Sequence, residues 1–130
     1  MLFRSKKDYD RAIADYDQAI RLQPRFPIAL NNRGLAYVGK NEPDPAMADY
    51  NEAIRLNPKF PVAFNNRGTS FVQKKDYARA IADYTEAFRL DPDNAEALFR
   101  RGIARRLNGD KAGGDADVVA AKRIDPDLVE

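Results

Sequence analysis

Four prolines, Pro24, Pro58, Pro92 and Pro126, stand 34 residues apart, and the text between them recurs in the same register. AIADYDQAIRLQP ends at Pro24, AMADYNEAIRLNP at Pro58 and AIADYTEAFRLDP at Pro92. RFPIALNNRGLAYV is answered by KFPVAFNNRGTSFV exactly one period of 34 residues later. A chain that repeats itself at this interval is built from one supersecondary unit used several times. Each unit is too small to bury its own apolar face and must be covered by a neighbour.

Each unit reads as two short helices. In the first, Leu30, Gly34 and Tyr37 recur as Phe64, Gly68 and Phe71, then as Leu98, Gly102 and Arg105. In the second, Ala12, Tyr16 and Ala19 recur as Ala46, Tyr50 and Ala53, then as Ala80, Tyr84 and Ala87. Spacings of three and four place each set on one helical face. Pro27, Pro45 and Pro61 suit a first helical turn, where a missing N–H costs nothing, and Asp44 before Pro45 is expected to be an N-cap. The period-marking prolines follow Leu22, Leu56, Leu90 and Ile124 by two, so each second helix is expected to stop there. Gly34, Gly68 and Gly102 are expected to face the small residues Ala12, Ala46 and Ala80, letting two backbones approach.

A 34-residue helix–turn–helix carrying a large apolar residue, then Gly, aromatic, Ala, aromatic, Ala and Pro, resembles the tetratricopeptide repeat. The resemblance implies an all-α, right-handed superhelical solenoid of antiparallel helix pairs. It covers nearly the whole chain as a single domain. Residues 1–24 are the latter part of one repeat, 25–58 and 59–92 are full repeats, 93–126 form a degenerate one, and 127–130 a tail. Arg33, Arg67 and Arg101 depart from the family, which usually has Leu there. They are expected to lay their stems along the helix pair and expose the guanidinium.

The two ends differ. No Gly or Pro falls between Leu2 and Gln23, so that stretch could form one long helix in place of a stub, a turn at Lys6–Asp8 and a second helix. In either case an apolar edge around Leu2, Phe3, Ile13 and Tyr16 is expected to be uncovered. At the other end three apolar columns turn polar together, at Arg105, Asp115 and Lys122, which suits a terminal, capping repeat. Gly113 and Gly114 are the feature that favours decay of the repeat instead.

In the tetratricopeptide family the first helices line a concave groove for peptides. The resemblance implies that Asn31, Asn32, Leu35, Asn65, Asn66, Thr69, Phe99, Arg100 and Ile103 face it, with Ile28, Val38, Val62, Val72, Gln73, Glu96 and Arg106 beside them. Amide side chains there offer both a donor and an acceptor to a peptide backbone. The carboxylate clamp that takes the acidic tails of heat-shock chaperones is matched at Asn66 and Arg100. It is broken at Asn31, Leu35 and Glu96, where the last mismatch reverses the charge. Of the four clustered arginines, Arg100 is expected to face the groove. Arg101, Arg105 and Arg106 read as a solvated helix neutralised by Asp93, Glu96, Asp110 and Asp115.

Composition closes off other classes. The 130 residues contain no Cys and no His, which removes thiolate nucleophiles, imidazole bases and the usual zinc sites. The net charge of +2, from 22 basic and 20 acidic residues, is too small for a nucleic-acid binder that works through phosphate contacts. No apolar run reaches the roughly 18 residues of a membrane span, and no signal peptide opens the chain, so a soluble, cytoplasmic protein is expected. The carboxylate pairs Asp8 with Asp10 and Asp15 with Asp17 point in different directions on a helix. Asp15 recurs as Asp49 and Asp83 on what reads as the outer surface. The expectation is therefore a non-enzymatic module that needs no cofactor or metal and binds a protein or peptide. The alternative is a self-assembling unit that pairs with another copy through its N-terminal edge. A third reading makes the chain a regulatory arm of a larger protein.

Overall fold

A computed structural model describes residues 5–129, and the described chain is all helix and turn, without a strand. Seven helices follow one another: α1 Lys6–Leu22, α2 Pro27–Gly39, α3 Pro43–Leu56, α4 Pro61–Gln73, α5 Tyr77–Leu90, α6 Ala95–Leu107 and α7 Lys111–Ile124. The second helix of every unit ends at the apolar residue two before the period-marking proline, as the spacing predicts.

Several starts differ from the sequence reading. α3 begins at Pro43, with Glu42 as a cap that makes no side-chain bond, so Asp44 lies inside the first turn instead of capping it. A proline supplies the preset φ at the first helical position, and its missing N–H is one of the groups without a helical partner anyway. Lys6–Asp8 is not a turn but the first turn of α1. Ser5 caps it, with Asp8 N–H donating to the Ser5 hydroxyl and Ser5 N–H returned to the Asp8 carboxylate. Asp76, Asn94 and Asp110 cap α5, α6 and α7 in the simpler way.

The links from first to second helices share one geometry. Asn41, Lys75 and Gly109, again 34 apart, all adopt positive φ, at 62°, 62° and 92°. The next residue's N–H then reaches back five positions, from Glu42 to Tyr37, Asp76 to Phe71 and Asp110 to Arg105, at 2.8–2.9 Å. This closure satisfies the last carbonyls of the helix and turns the chain back.

The chain divides into two compact units, Met1–Ala63 and Phe64–Glu130. In the first, α1 packs on α2 and α2 on α3, around Leu30, Ala53 and Ala63 with Ile20, Ile54, Leu56 and Phe60 against them. In the second, α5 packs on α6 and α6 on α7, and Ala80, Tyr84 and Ala104 gather Phe71, Val72 and Ile81. Tyr50 and Tyr84 are the largest fully buried side chains, one in each unit.

The glycines admit aromatic rings rather than the facing alanines. A Cβ on Gly34 would lie 2.6 Å from the Tyr50 ring, and one on Gly68 would lie 2.9 Å from the Tyr84 ring. The last unit solves the same problem differently. Val118 stands in the tyrosine column and Gly114 in the alanine column, and the backbones close in until a Cβ on Gly114 would sit 2.5 Å from the Gly102 carbonyl oxygen. Gly114 is thus required by the packing of α6 on α7.

The arginine column also departs from expectation. Arg33 is not a stem with a free head: its Nε and Nη2 donate to Asp49 at 2.8 and 2.7 Å, and its Nη1 donates to Asp17 at 2.9 Å. Arg67 grips Asp83 in the same two-pronged way, and Arg101 grips Asp117. These three carboxylates are 5–6% exposed, so Asp49 and Asp83 belong to the interior and not to the outer surface. Arg101 also donates to Thr85 at 3.3 Å, so α6 is tied to both α5 and α7 as α2 is to α1 and α3. Arg105, which replaces an aromatic residue, becomes a second donor to Asp117 at 2.8 Å.

Ile13, expected on an uncovered edge, is buried, and Tyr16 beside it is half-buried. Leu2 and Phe3 lie outside the described residues. The polar columns of the last unit are used: Asp115 accepts from Arg106 at 2.8 Å and from Lys111 at 2.7 Å, and these two cations hold its carboxyl below the usual carboxylate range.

Candidate binding cleft

The second unit contains a cleft of about 110 Å³ between α4 and α6, lined by Thr69, Val72, Gln73, Tyr84, Arg100 and Ile103. Its geometry follows from helical spacing. Thr69, Val72 and Gln73 are three and four residues apart on α4, and Arg100 and Ile103 are three apart on α6, so each set shares one face. Gly68 lets the Tyr84 ring of α5 come in beneath α4, and this ring forms the base.

The polar atoms at the base satisfy one another. Thr69 Oγ1 donates to the Asn65 carbonyl at 3.2 Å and lies within hydrogen-bond distance of the Tyr84 hydroxyl, at 2.9 Å. Burial raises the Tyr84 phenol above the ordinary tyrosine value, while the bond to Thr69 and the nearby Arg100 charge work against that rise. Arg100 spans the rim. Its Nε donates to Glu96 at 2.8 Å, one turn earlier on α6, and its Nη1 reaches Thr69 Oγ1 at 3.5 Å.

Of the residues read from the sequence as groove-facing, Thr69, Arg100 and Ile103 come together here with Val72 and Gln73. Asn65 and Asn66 are half-buried on α4, and Phe99 is half-buried on α6. The Asn65 side-chain oxygen is buried without a hydrogen-bond partner among the described residues. On α2 of the first unit, Leu35 is exposed and Asn32 half-buried. Asn31 is 3% exposed and engaged within the protein. Sequence reasoning missed Tyr84, because a tyrosine in a core column gives no sign that its edge reaches a cleft.

The arginine cluster divides as its partners dictate. Arg101 and Arg105 converge on Asp117, Arg106 pairs with Asp115, and Arg100 alone of the four lines the cleft. No group of three or more metal-ligating carboxylates exists among the described residues, and no described helix is long and apolar enough to cross a membrane.

A family model described as TPR repeat matches residues 2–41 and 68–109, and one described as tetratricopeptide repeat matches residues 27–60. No curated protein matches the chain. Among solved structures, the crystal structure of MamA superposes with a TM-score of 0.85 over 93% of this chain and 71% of its own, at 21% identity. The first TPR of Spaghetti (RPAP3) bound to the HSP90 peptide SRMEEVD gives 0.76 at 24% identity, covering 78% of this chain and 81% of that one. The Arabidopsis OM64 TPR domain gives 0.75 at 27% identity, covering 78% and 84%. At 21% and 24% identity, the first two are likenesses of fold.

Proposed function

The chain belongs to the tetratricopeptide repeat family, whose members are non-catalytic protein-interaction scaffolds, and we propose that it binds a segment of a partner protein in the cleft between α4 and α6. One observation carries this reading. Five residues assigned to a binding groove by family register, Thr69, Val72, Gln73, Arg100 and Ile103, line one cavity over a buried aromatic base.

The chemistry suits a peptide. Val72 and Ile103 supply apolar walls, Gln73 and Arg100 supply hydrogen-bonding groups at the mouth, and the floor has no unmet polar demand. On the first unit, the exposed Ile28 and Leu35 with the half-buried Asn32 are the candidates for contact on α2. The half-buried Asn66 and Phe99 are candidates on the second.

The test takes a peptide selected from a random twelve-residue display library and measures its affinity by calorimetry. Substituting Ile103→Arg is expected to weaken binding at least tenfold while the melting temperature moves by under about 2 °C. Unchanged affinity, or a loss that merely tracks unfolding, would overturn the reading.

A further inference from the structure

The rim of the cleft carries a charge that is already answered. Arg100 is the cation of the site, yet its Nε is bonded to Glu96 at 2.8 Å and Glu96 is the more exposed partner, at 55% against 41% for the side chains. An incoming carboxylate would meet a guanidinium already bonded to an exposed acid one helical turn away. Below the rim the two hydroxyls are paired with each other, and the walls are Val72, Ile103 and the ring of Tyr84. The volume is about 110 Å³, somewhat less than the roughly 150 Å³ of an apolar cavity known to hold benzene.

From this charge balance and size we propose that the cleft takes one uncharged, branched aliphatic side chain of a peptide, and that Glu96 is the residue that turns acidic side chains away. The inference rests on the cleft being a peptide site. A neutral site complements a neutral group, and a branched aliphatic chain matches this volume more closely than an aromatic ring does. Glu96 lies one helical turn from Arg100 and is not among the residues that line the cleft, so replacing it leaves the walls intact.

The experiment uses three acetylated, amidated pentapeptides, Gly-Ser-X-Ser-Gly with X as Leu, Phe or Glu, titrated against the full chain while the methyl resonances of Val72 and Ile103 are followed. The Leu peptide is expected to bind at least threefold more tightly than the Phe or Glu peptide. In Glu96→Gln the Glu peptide is expected to gain about threefold and the Leu peptide to stay as it was. Equal or tighter binding of the Glu peptide to the unaltered chain, or a Leu-to-Glu ratio unmoved by Glu96→Gln, would overturn the proposal while leaving the peptide site standing. If no peptide moves these methyls, both the proposal and the peptide site fall together.

Discussion

Arg33 holds Asp49 through two parallel hydrogen bonds of 2.8 and 2.7 Å, and the same pairing recurs between Arg67 and Asp83 and between Arg101 and Asp117. Partner residues are always 16 apart, one on a first helix and one on the second helix that follows. A planar guanidinium matches a carboxylate in this two-pronged geometry, which fixes rotation of one helix against the other as apolar contacts cannot.

Breaking such a pair leaves a charge in a largely buried place. Asp49→Ala removes two of the three bonds of Arg33 and leaves the one to Asp17, and it is expected to cost about 2 kcal/mol in chemical denaturation. Asp15, in the same column of the repeat but exposed and within 0.5 kcal/mol of neutral on the general expectation for such surface sites, serves as the control, as Asp15→Ala. Similar costs for both would remove the pairing as the cause.

Gly114→Ala reverses the usual rule for helices. Alanine is the better helix former by roughly 1 kcal/mol, yet a Cβ at this site meets the Gly102 carbonyl oxygen at 2.5 Å. A net loss of about 1–3 kcal/mol is expected in a denaturant titration. A gain in stability would mean that α6 and α7 do not approach as described.

Lys75 adopts φ of 62° in a turn where Gly109 does the same work at no steric cost. Lys75→Gly is expected to raise stability by about 0.5–1 kcal/mol, with Asn41→Gly gaining less because asparagine tolerates this region. Thermal or urea unfolding reads the difference. A destabilised Lys75→Gly would contradict the turn geometry.

Burial holds the phenols of Tyr50 and Tyr84 above the ordinary tyrosine value. The folded state therefore keeps protons that the unfolded chain gives up above about pH 10, so this contribution to stability is whole below that pH and shrinks as the pH rises through it. Absorbance at 295 nm during an alkaline titration is expected to show two phenolates that form only with unfolding. Their release in the folded protein would contradict the burial.

Much of this was open to reading in the sequence, for reasons tied to particular residues. Prolines at one period mark the helix stops at Leu22, Leu56, Leu90 and Ile124 because proline cannot continue a helix. Family register placed Thr69, Arg100 and Ile103 on one side of their helices. The Arg–Asp pairing was hidden although both columns recur, since a 16-residue spacing joins two different helices and follows no helical period. Gly114 read as decay because its partner, the narrowing at Val118, is a matter of interhelical distance. The start of α3 was misplaced because Pro43 and Pro45 both suit a first turn.

The most direct test of the account is to map a library-selected peptide onto the full chain by methyl and amide chemical-shift perturbation. The largest shifts are expected at Thr69, Val72, Gln73, Arg100 and Ile103, the residues that line the cleft over Tyr84. Shifts confined to other surfaces, with those five unmoved at saturation, would contradict it.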